Sequence, residues 1–278
     1  TKAWKMMPAP PPGFDRVLGL SPFQAHLAYN RGIKSRRDLE GFLNPGLWPW
    51  HDPMLLPDMG QAVQRLTKAL DAGEVIGVFG DFDTDGVAGT ALLVLALREL
   101  GAEVLPYLPD RVDEGHGLNA GAVRSLASRG VSLLITVDCG ASSAEEVEMA
   151  SSLGVDTVIT DHHTLSETLP RAVAVVNPGR PDSEYPYASL TGAGLALKLA
   201  QALWAALGRP EPDHLVDLAA LGTVADVGPL TGENRYLVQR GLERMNTTEH
   251  PGLTALIDRS GLKSGSIDTE ALSFGLIP

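Results

Sequence analysis

From residue 74 onward, short apolar runs alternate with longer stretches whose apolar residues recur every three or four positions. The run Val75-Ile76-Gly77-Val78-Phe79 predicts a strand over 75–80, and the pattern repeats at 103–108, 132–137 and 155–160, with a further short run at 172–176. Between them the helical period appears at 86–100, 119–129 and 143–153. Strands alternating with helices imply βαβ units and a parallel sheet covered on both faces. After Asn177-Pro178 the strands stop, and helices are predicted at 190–207, 211–225, 233–245 and 251–260.

The residues ahead of the first strand read differently. Residues 1–13 are proline-rich and extended, and 21–43 hold one or two short helices with a basic patch at Lys34, Arg36 and Arg37. Residues 44–60 carry several Pro and Trp and are expected to be irregular. The segment 59–72 is an amphipathic helix, with Gly73 as its C-cap. The fold class expected is α/β, a mostly parallel sheet flanked by helices and followed by a helical segment. Its expected divisions are an N-terminal extension with helices packed on the core (1–73), the α/β domain (74–230) and a helical connector (231–278). The apolar ending Ala271–Pro278, without a polar tail, suggests a connector toward a further C-terminal portion.

Polar clusters sit where the apolar runs end. The first run leads into Asp81-Phe82-Asp83-Thr84-Asp85-Gly86, three carboxylates spaced two apart. Carboxylates this close repel one another, and a multivalent cation relieves the repulsion. A calcium loop of the D-x-D-x-D-G type would need a Glu at its twelfth position, which here is Leu92, and would follow a helix rather than a strand. The third run leads into Asp138-Cys139-Gly140 and the fourth into Asp161-His162-His163. Ligands of open parallel sheets bind beyond the carboxyl ends of the strands. Neighbouring parallel strands would therefore gather Asp81, Asp83, Asp85, Asp138, His162 and His163 into one site. An apolar helical stretch at 218–225 ends in Asp226, whose small apolar surroundings suit burial against a cation.

Composition narrows the setting. The chain has 278 residues, 44% of them hydrophobic and only 5% aromatic, enough for a lean core of close helix–sheet contacts. One Cys excludes a disulfide framework and fits a reducing compartment. No signal-peptide pattern and no bilayer-length apolar run is present, so a soluble, cytoplasmic protein without membrane contact is expected. The formal net charge of −12 argues against a general polyanion-binding surface, although part of it belongs to the proposed site.

Taken in order, Asp81-Phe82-Asp83-Thr84-Asp85-Gly86, Val137-Asp138-Cys139-Gly140, Thr160-Asp161-His162-His163 and Gly222-Thr223-Val224-Ala225-Asp226 resemble the four motifs of the DHH phosphoesterase superfamily. The stretches 109–118, 176–178 and 221–230, with Asn234-Arg235, resemble its RecJ-type branch of single-strand-specific 5′→3′ DNA exonucleases. The resemblance runs from about residue 14 to the end. It departs from the pattern at Cys139, where Asn is common.

The resemblance implies a two-metal phosphodiester hydrolase acting in DNA repair and recombination, with Mn²⁺ or Mg²⁺ as cofactor. Asp81, Asp83, Asp85, Asp138, His162 and Asp226 would be metal ligands, with Asp138 bridging. His163 would contact the scissile phosphate, and Asp161 would orient a neighbouring imidazole. Arg111 would clamp a substrate phosphate, and Tyr107 and His116 are candidates for contacts to bases. Partners implied are single-stranded DNA, a helicase and a single-strand-binding protein. Two other readings stand beside this one. One is a related phosphodiesterase acting on short oligoribonucleotides, cyclic dinucleotides or pyrophosphate; the other is a non-catalytic replication scaffold. The amides opening the helix at Gly192-Ala193-Gly194 could bind an anion or simply start a tight helix.

Overall fold

Three short helices open the computed structural model: α1 (Phe14–Leu18), α2 (Pro22–Asn30) and α3 (Arg36–Leu43). Ser21 and Ser35 each build a reciprocal capping box, with Gln24 and Asp38 as partners. These caps stabilise helices too short to persist alone. Phe14, Leu18, Ala25, Ala28, Ile33 and Leu39 form their private core. The structure describes residues 3, 5–47, 50–166 and 168–278. The chain divides into two units, Thr1–Trp50 and His51–Pro278. The division thus falls at residue 50 rather than 73, and residues 231–278 belong to the same unit as the sheet.

In the larger unit, helix α4 (Met59–Ala72) buries Met59, Ala62, Val63, Leu66 and Ala69 and ends at Gly73, whose φ of 63° is left-handed. Its Arg65 pins the helix to the sheet through Glu74 and Asp156, each at 2.6 Å. The alternation that follows is β1 (Val75–Gly80), α5 (Thr84–Glu99), β2 (Glu103–Tyr107), α6 (Ala120–Ser128), β3 (Val131–Val137), α7 (Ala144–Ser152), β4 (Asp156–Thr160) and β5 (Ala174–Val176). Among the described residues these strands make one parallel sheet in the order β2-β1-β3-β4-β5. The chain leaves β1 toward β2 on one side and returns to β3 on the other. That reversal opens a crevice beyond the ends of β1 and β3, the place where such sheets bind ligands.

Helices α6 and α7 cover one face over Phe79, Val131, Leu134, Val155 and Ile159. On the other face α5 packs with α8 (Gly192–Ala206) and α9 (Val216–Ala225). Approach is close there: a Cβ on Gly89 would meet Val137 at 2.7 Å and the Ala193 backbone at 3.0 Å. Helices α10 (Gly232–Met245), α11 (Pro251–Arg259) and α12 (Thr269–Ala271) follow, the last running into a wider helical turn at Leu272–Leu276 that the sequence pattern did not predict. Lys198 of α8 and Glu233 of α10 form a fully buried ion pair at 2.5 Å. Lys198 also donates to the His51 carbonyl, and Glu233 accepts from the Tyr185 hydroxyl at 2.6 Å and the His51 N–H. No helix among the described residues is long and apolar enough to cross a membrane.

Candidate metal centre

The polar tips of β1, β3 and β4 continue the sheet's ladder by one residue each. The Asp81 N–H donates to Val137 O, the Asp138 N–H to Thr160 O, and the Asp161 N–H to Val176 O. Backbone pairing therefore fixes the three carboxylates side by side at the switch between β1 and β3. Asp138 has φ 62°, a left-handed conformation that Asp tolerates better than most residues. Asp81, Asp85, Asp138 and Asp161 are buried, whereas Asp83, His163 and Asp226 are exposed at the rim.

Three overlapping groups of side chains each place their ligand atoms within 4.8 Å of one another: Asp81, Asp83 and Asp138; Asp138, His162 and His163; and Asp85, His162 and Asp226. Every residue that the sequence assigned to metal binding is among them. Asp138 and His162 each belong to two groups, so the clusters form one continuous centre. Buried Asp81 Oδ1, Asp138 Oδ1 and His162 Nε2 have no aligned hydrogen-bond partner. His162 Nε2 lies 3.0 Å from Asp138 Oδ1. Buried polar atoms are nearly always satisfied, and an unpartnered Asp81 Oδ1 beside a close Asp138–His162 pair suits an oxygen-preferring cation that also accepts imidazole.

The electrostatics agree. Burial, and then the Asp138 charge, push the Asp85 carboxyl up to about 7. Burial likewise raises Asp138, against the opposing pull of His162, and raises Asp226. The cluster is short of positive charge, which a bound cation would supply.

The remaining polar contacts hold this arrangement. Asp83 caps α5, its Oδ1 accepting from the N–H groups of Asp85 and Gly86. Asp85 Oδ2 and Oδ1 accept from the N–H groups of Gly192 and Ala193 at 2.7 and 3.0 Å. The anion at the start of α8 is therefore supplied by the chain itself. Asp161 accepts from Ala141 N–H, His163 N–H and His163 Nδ1. Burial works to raise its carboxyl, but these bonds outweigh it and hold it below the usual range. In return the hydrogen bond to Asp161 pushes His163 up to about 9. The imidazole that Asp161 orients is thus His163, whose Nδ1 is occupied and whose Nε2 is left over.

His116 reaches across from the loop after β2 to Asp81, Nδ1 to Oδ2 at 2.8 Å, and its ring packs on Phe82 at 4.1 Å. Arg111 lies over the same Phe82 ring at 5.3 Å. Neither Asp110 nor Asp113 pairs with Arg111; the Asp110 carboxylate instead accepts from the Val112 and Asp113 N–H groups. Tyr107 stacks on Phe79 and donates to Glu114 at 2.6 Å, which engages it in the fold rather than leaving it for a base. Cys139 packs in the apolar layer under α6 and α7, where burial raises its thiol, and it is in none of the three groups above.

Two supporting residues lie in stretches the sequence singled out but without a role of their own. Asn177, fully buried, donates to the His163 carbonyl and accepts from Gly179 N–H, fixing the turn that carries the histidines. A polar residue directly after a buried apolar strand was the available signal. Phe82 lines a largely apolar cavity of about 830 Å³, with Val87, Leu95, Leu221, Leu253 and Ile277, that opens beside Asp83.

A parallel sheet whose strand tips and adjoining helix end carry Asp-x-Asp-x-Asp, Asp, Asp-His-His and Asp side chains defines a metal-binding domain of the DHH class. The pattern of the DHH family, N-terminal domain, matches residues 75–223, and the chain belongs to this family. The chain is 41% identical over 261 residues to the single-stranded-DNA-specific exonuclease RecJ of Bacillus subtilis, covering 94% of this chain and 33% of that protein. It is 39% identical over 277 residues to RecJ of Escherichia coli, covering 95% and 47%. The structure of Thermus thermophilus RecJ in complex with Mn²⁺ superposes with a TM-score of 0.78 at 34% identity, covering 95% of this chain and 37% of that one. The chain therefore spans between a third and a half of the length of these relatives.

Proposed function

We propose that this chain is the metal-binding catalytic core of an exonuclease that hydrolyses single-stranded DNA from the 5′ end and releases 5′-mononucleotides, in DNA repair and recombination. The observation that carries the reading is the continuous centre of Asp81, Asp83, Asp85, Asp138, His162 and Asp226 at the β1/β3 switch. The similarity to RecJ proteins supports the choice of substrate.

Those six residues would hold two Mn²⁺ or Mg²⁺ ions. Such ions supply Lewis acidity and an activated water for phosphodiester hydrolysis. The chain's own groups do the rest. His163, its Nδ1 fixed by Asp161, turns Nε2 toward the place of a phosphoryl oxygen. Arg111, braced on Phe82, offers a guanidinium fork that matches a 5′-phosphate. His116 stands between Asp81 and Phe82, where it would border the nucleotide next to the scissile bond. The same reading expects a helicase and a single-strand-binding protein as partners, because the substrate strand must be unpaired. A cytoplasmic setting suits the free, buried Cys139.

The test is cleavage of single-stranded DNA labelled at either end, with Mn²⁺, Mg²⁺ or EDTA, by the full-length protein. Metal-dependent release of mononucleotides from the 5′ end is expected. Cleavage of small phosphoesters without any attack on DNA would overturn the assignment of substrate, and indifference to metal would overturn the mechanism.

A further inference from the structure

The formal charge of this chain is unevenly distributed. Residues 1–50 contain seven Lys and Arg against three Asp and Glu, a formal +4, so the remainder carries −16 within the total of −12. Four of the seven cations, Arg31, Lys34, Arg36 and Arg37, fall within seven residues at the turn between α2 and α3, and all four side chains are exposed. The nearest acid does not balance them at the surface. Asp38 turns back to accept from the N–H groups of Lys34 and Ser35. Among the described residues, Arg36 alone of the four forms an ion pair, with Glu40, in an exposed pair of the kind that contributes little. Lys34 is held in place, its Nζ donating to the Tyr29 carbonyl and resting 3.2 Å from the Tyr29 ring centre. Phe23 and Leu27 of α2, and Arg31 at its C-cap, stand four residues apart on one face. Phe23 is 72% exposed, although the same unit buries Phe14 in its core. Exposed cations beside a bare aromatic ring are how proteins track a single strand, by phosphate neutralisation and base stacking.

We propose that the N-terminal unit carries a second contact surface for single-stranded DNA, in which Arg31, Lys34, Arg36 and Arg37 neutralise backbone phosphates and Phe23 stacks on a base. The proposal rests on the nuclease reading for its ligand. A strongly acidic catalytic unit repels DNA away from its bound ions, and a basic surface outside that unit offsets the repulsion.

The experiment is fluorescence anisotropy of a labelled oligothymidylate with the 278-residue chain, in EDTA to prevent cleavage, across a salt series. The unsubstituted protein should bind with salt-dependent affinity. Replacing Arg31, Lys34, Arg36 and Arg37 with Gln should weaken binding at least tenfold at low salt. It should also flatten the slope of log K against log salt by about 3, at roughly 0.7 per phosphate contact on a single strand. Arg36→Gln with Arg37→Gln touches no backbone contact and should flatten the slope by about 1.4 on the same basis. Melting temperature and Mn²⁺ titration report that the fold and the metal centre are intact. Unchanged affinity and slope in both variants, or no salt-dependent binding by the unsubstituted protein, would overturn the proposal. Failure of the nuclease reading would appear separately, as absence of Mn²⁺-dependent cleavage by the unsubstituted protein.

Discussion

Gly192 and Asp138 specify one another: a methyl group on Gly192 would lie 2.3 Å from the Asp138 Cβ and 2.6 Å from its Oδ1. The start of α8 thus forms the wall against which the shared carboxylate rests. Gly192→Ala should push Asp138 aside and weaken Mn²⁺ binding about 10–100-fold, the range seen when ligand-supporting groups are lost. Gly194→Ala, whose new methyl would make an ordinary 3.5 Å contact with Leu190, should leave binding unchanged. Calorimetric titration of both variants decides it. Equal affinities would remove Asp138 from the ligand set.

Asp138→Asn is the cleaner deletion, because Asn also tolerates the left-handed φ of 62°. Mn²⁺ binding and hydrolysis should both be lost. Without metal the variant should be at least as stable as the parent, since one charge leaves a repelling cluster. Urea unfolding with and without Mn²⁺ checks this. A variant clearly weaker than the metal-free parent would contradict the picture of frustrated carboxylates.

The metal-free protein should lose stability as pH rises toward and through 7. Asp85 has a folded pKa of about 7 against an ordinary value of 3.8. Between those values the folded state holds a proton that the unfolded chain has released, so rising pH favours unfolding. Mn²⁺ requires the ionised carboxylate, so its affinity should climb over the same window with release of protons. Titrations in two buffers of different ionisation enthalpy measure that release. A pH-independent affinity between 6 and 8 would contradict it.

Lys198→Met should destabilise the protein by about 3–5 kcal/mol, because it strands Glu233 without its counter-ion at a site with no solvent exposure. Adding Glu233→Gln should recover part of the loss, since the amide can still pair with the Tyr185 hydroxyl or the His51 N–H. Urea midpoints of the single and double variants provide the comparison. Additive losses would show that the two groups do not interact.

Arg111→Ala should abolish any preference for a 5′-phosphorylated strand while leaving Mn²⁺ binding untouched. Phe82→Leu removes the ring on which Arg111 rests and should weaken the same preference in part. Competition between phosphorylated and unphosphorylated oligonucleotides measures both. An unchanged preference would return Arg111 to the solvent.

Much of this was legible from local pattern. Strand β1 and helix α4 fall where hydrophobic periodicity placed them, because burial against the sheet imposes periodicity on the sequence. Strand ends that turn abruptly acidic mark a crevice for the same reason. Contacts that depend on distant segments meeting were hidden. Nothing near His116 announces Asp81, thirty-five residues earlier. The amides at Gly192 and Ala193 could be read as an anion site, but the anion they hold comes from Asp85, more than a hundred residues away in sequence. Lys198 sits within an apolar helix, and only the packed fold reveals Glu233. The final helical turn, Leu272–Leu276, lacks the length that makes periodicity readable.

The placement of the ligands along the chain also has a consequence for folding. Asp83, Asp138, His162 and Asp226 are separated by tens of residues and come together only once β1, β3 and β4 have paired in parallel and α9 has docked. Parallel pairings of this kind are slow to form, since large loops must close before any contact repays them. Until then the carboxylates are dispersed on a flexible chain and grip a divalent ion weakly. The rate at which refolding protein acquires tight Mn²⁺ is therefore a clock for the completion of its topology, recording the last long-range closure rather than the first collapse.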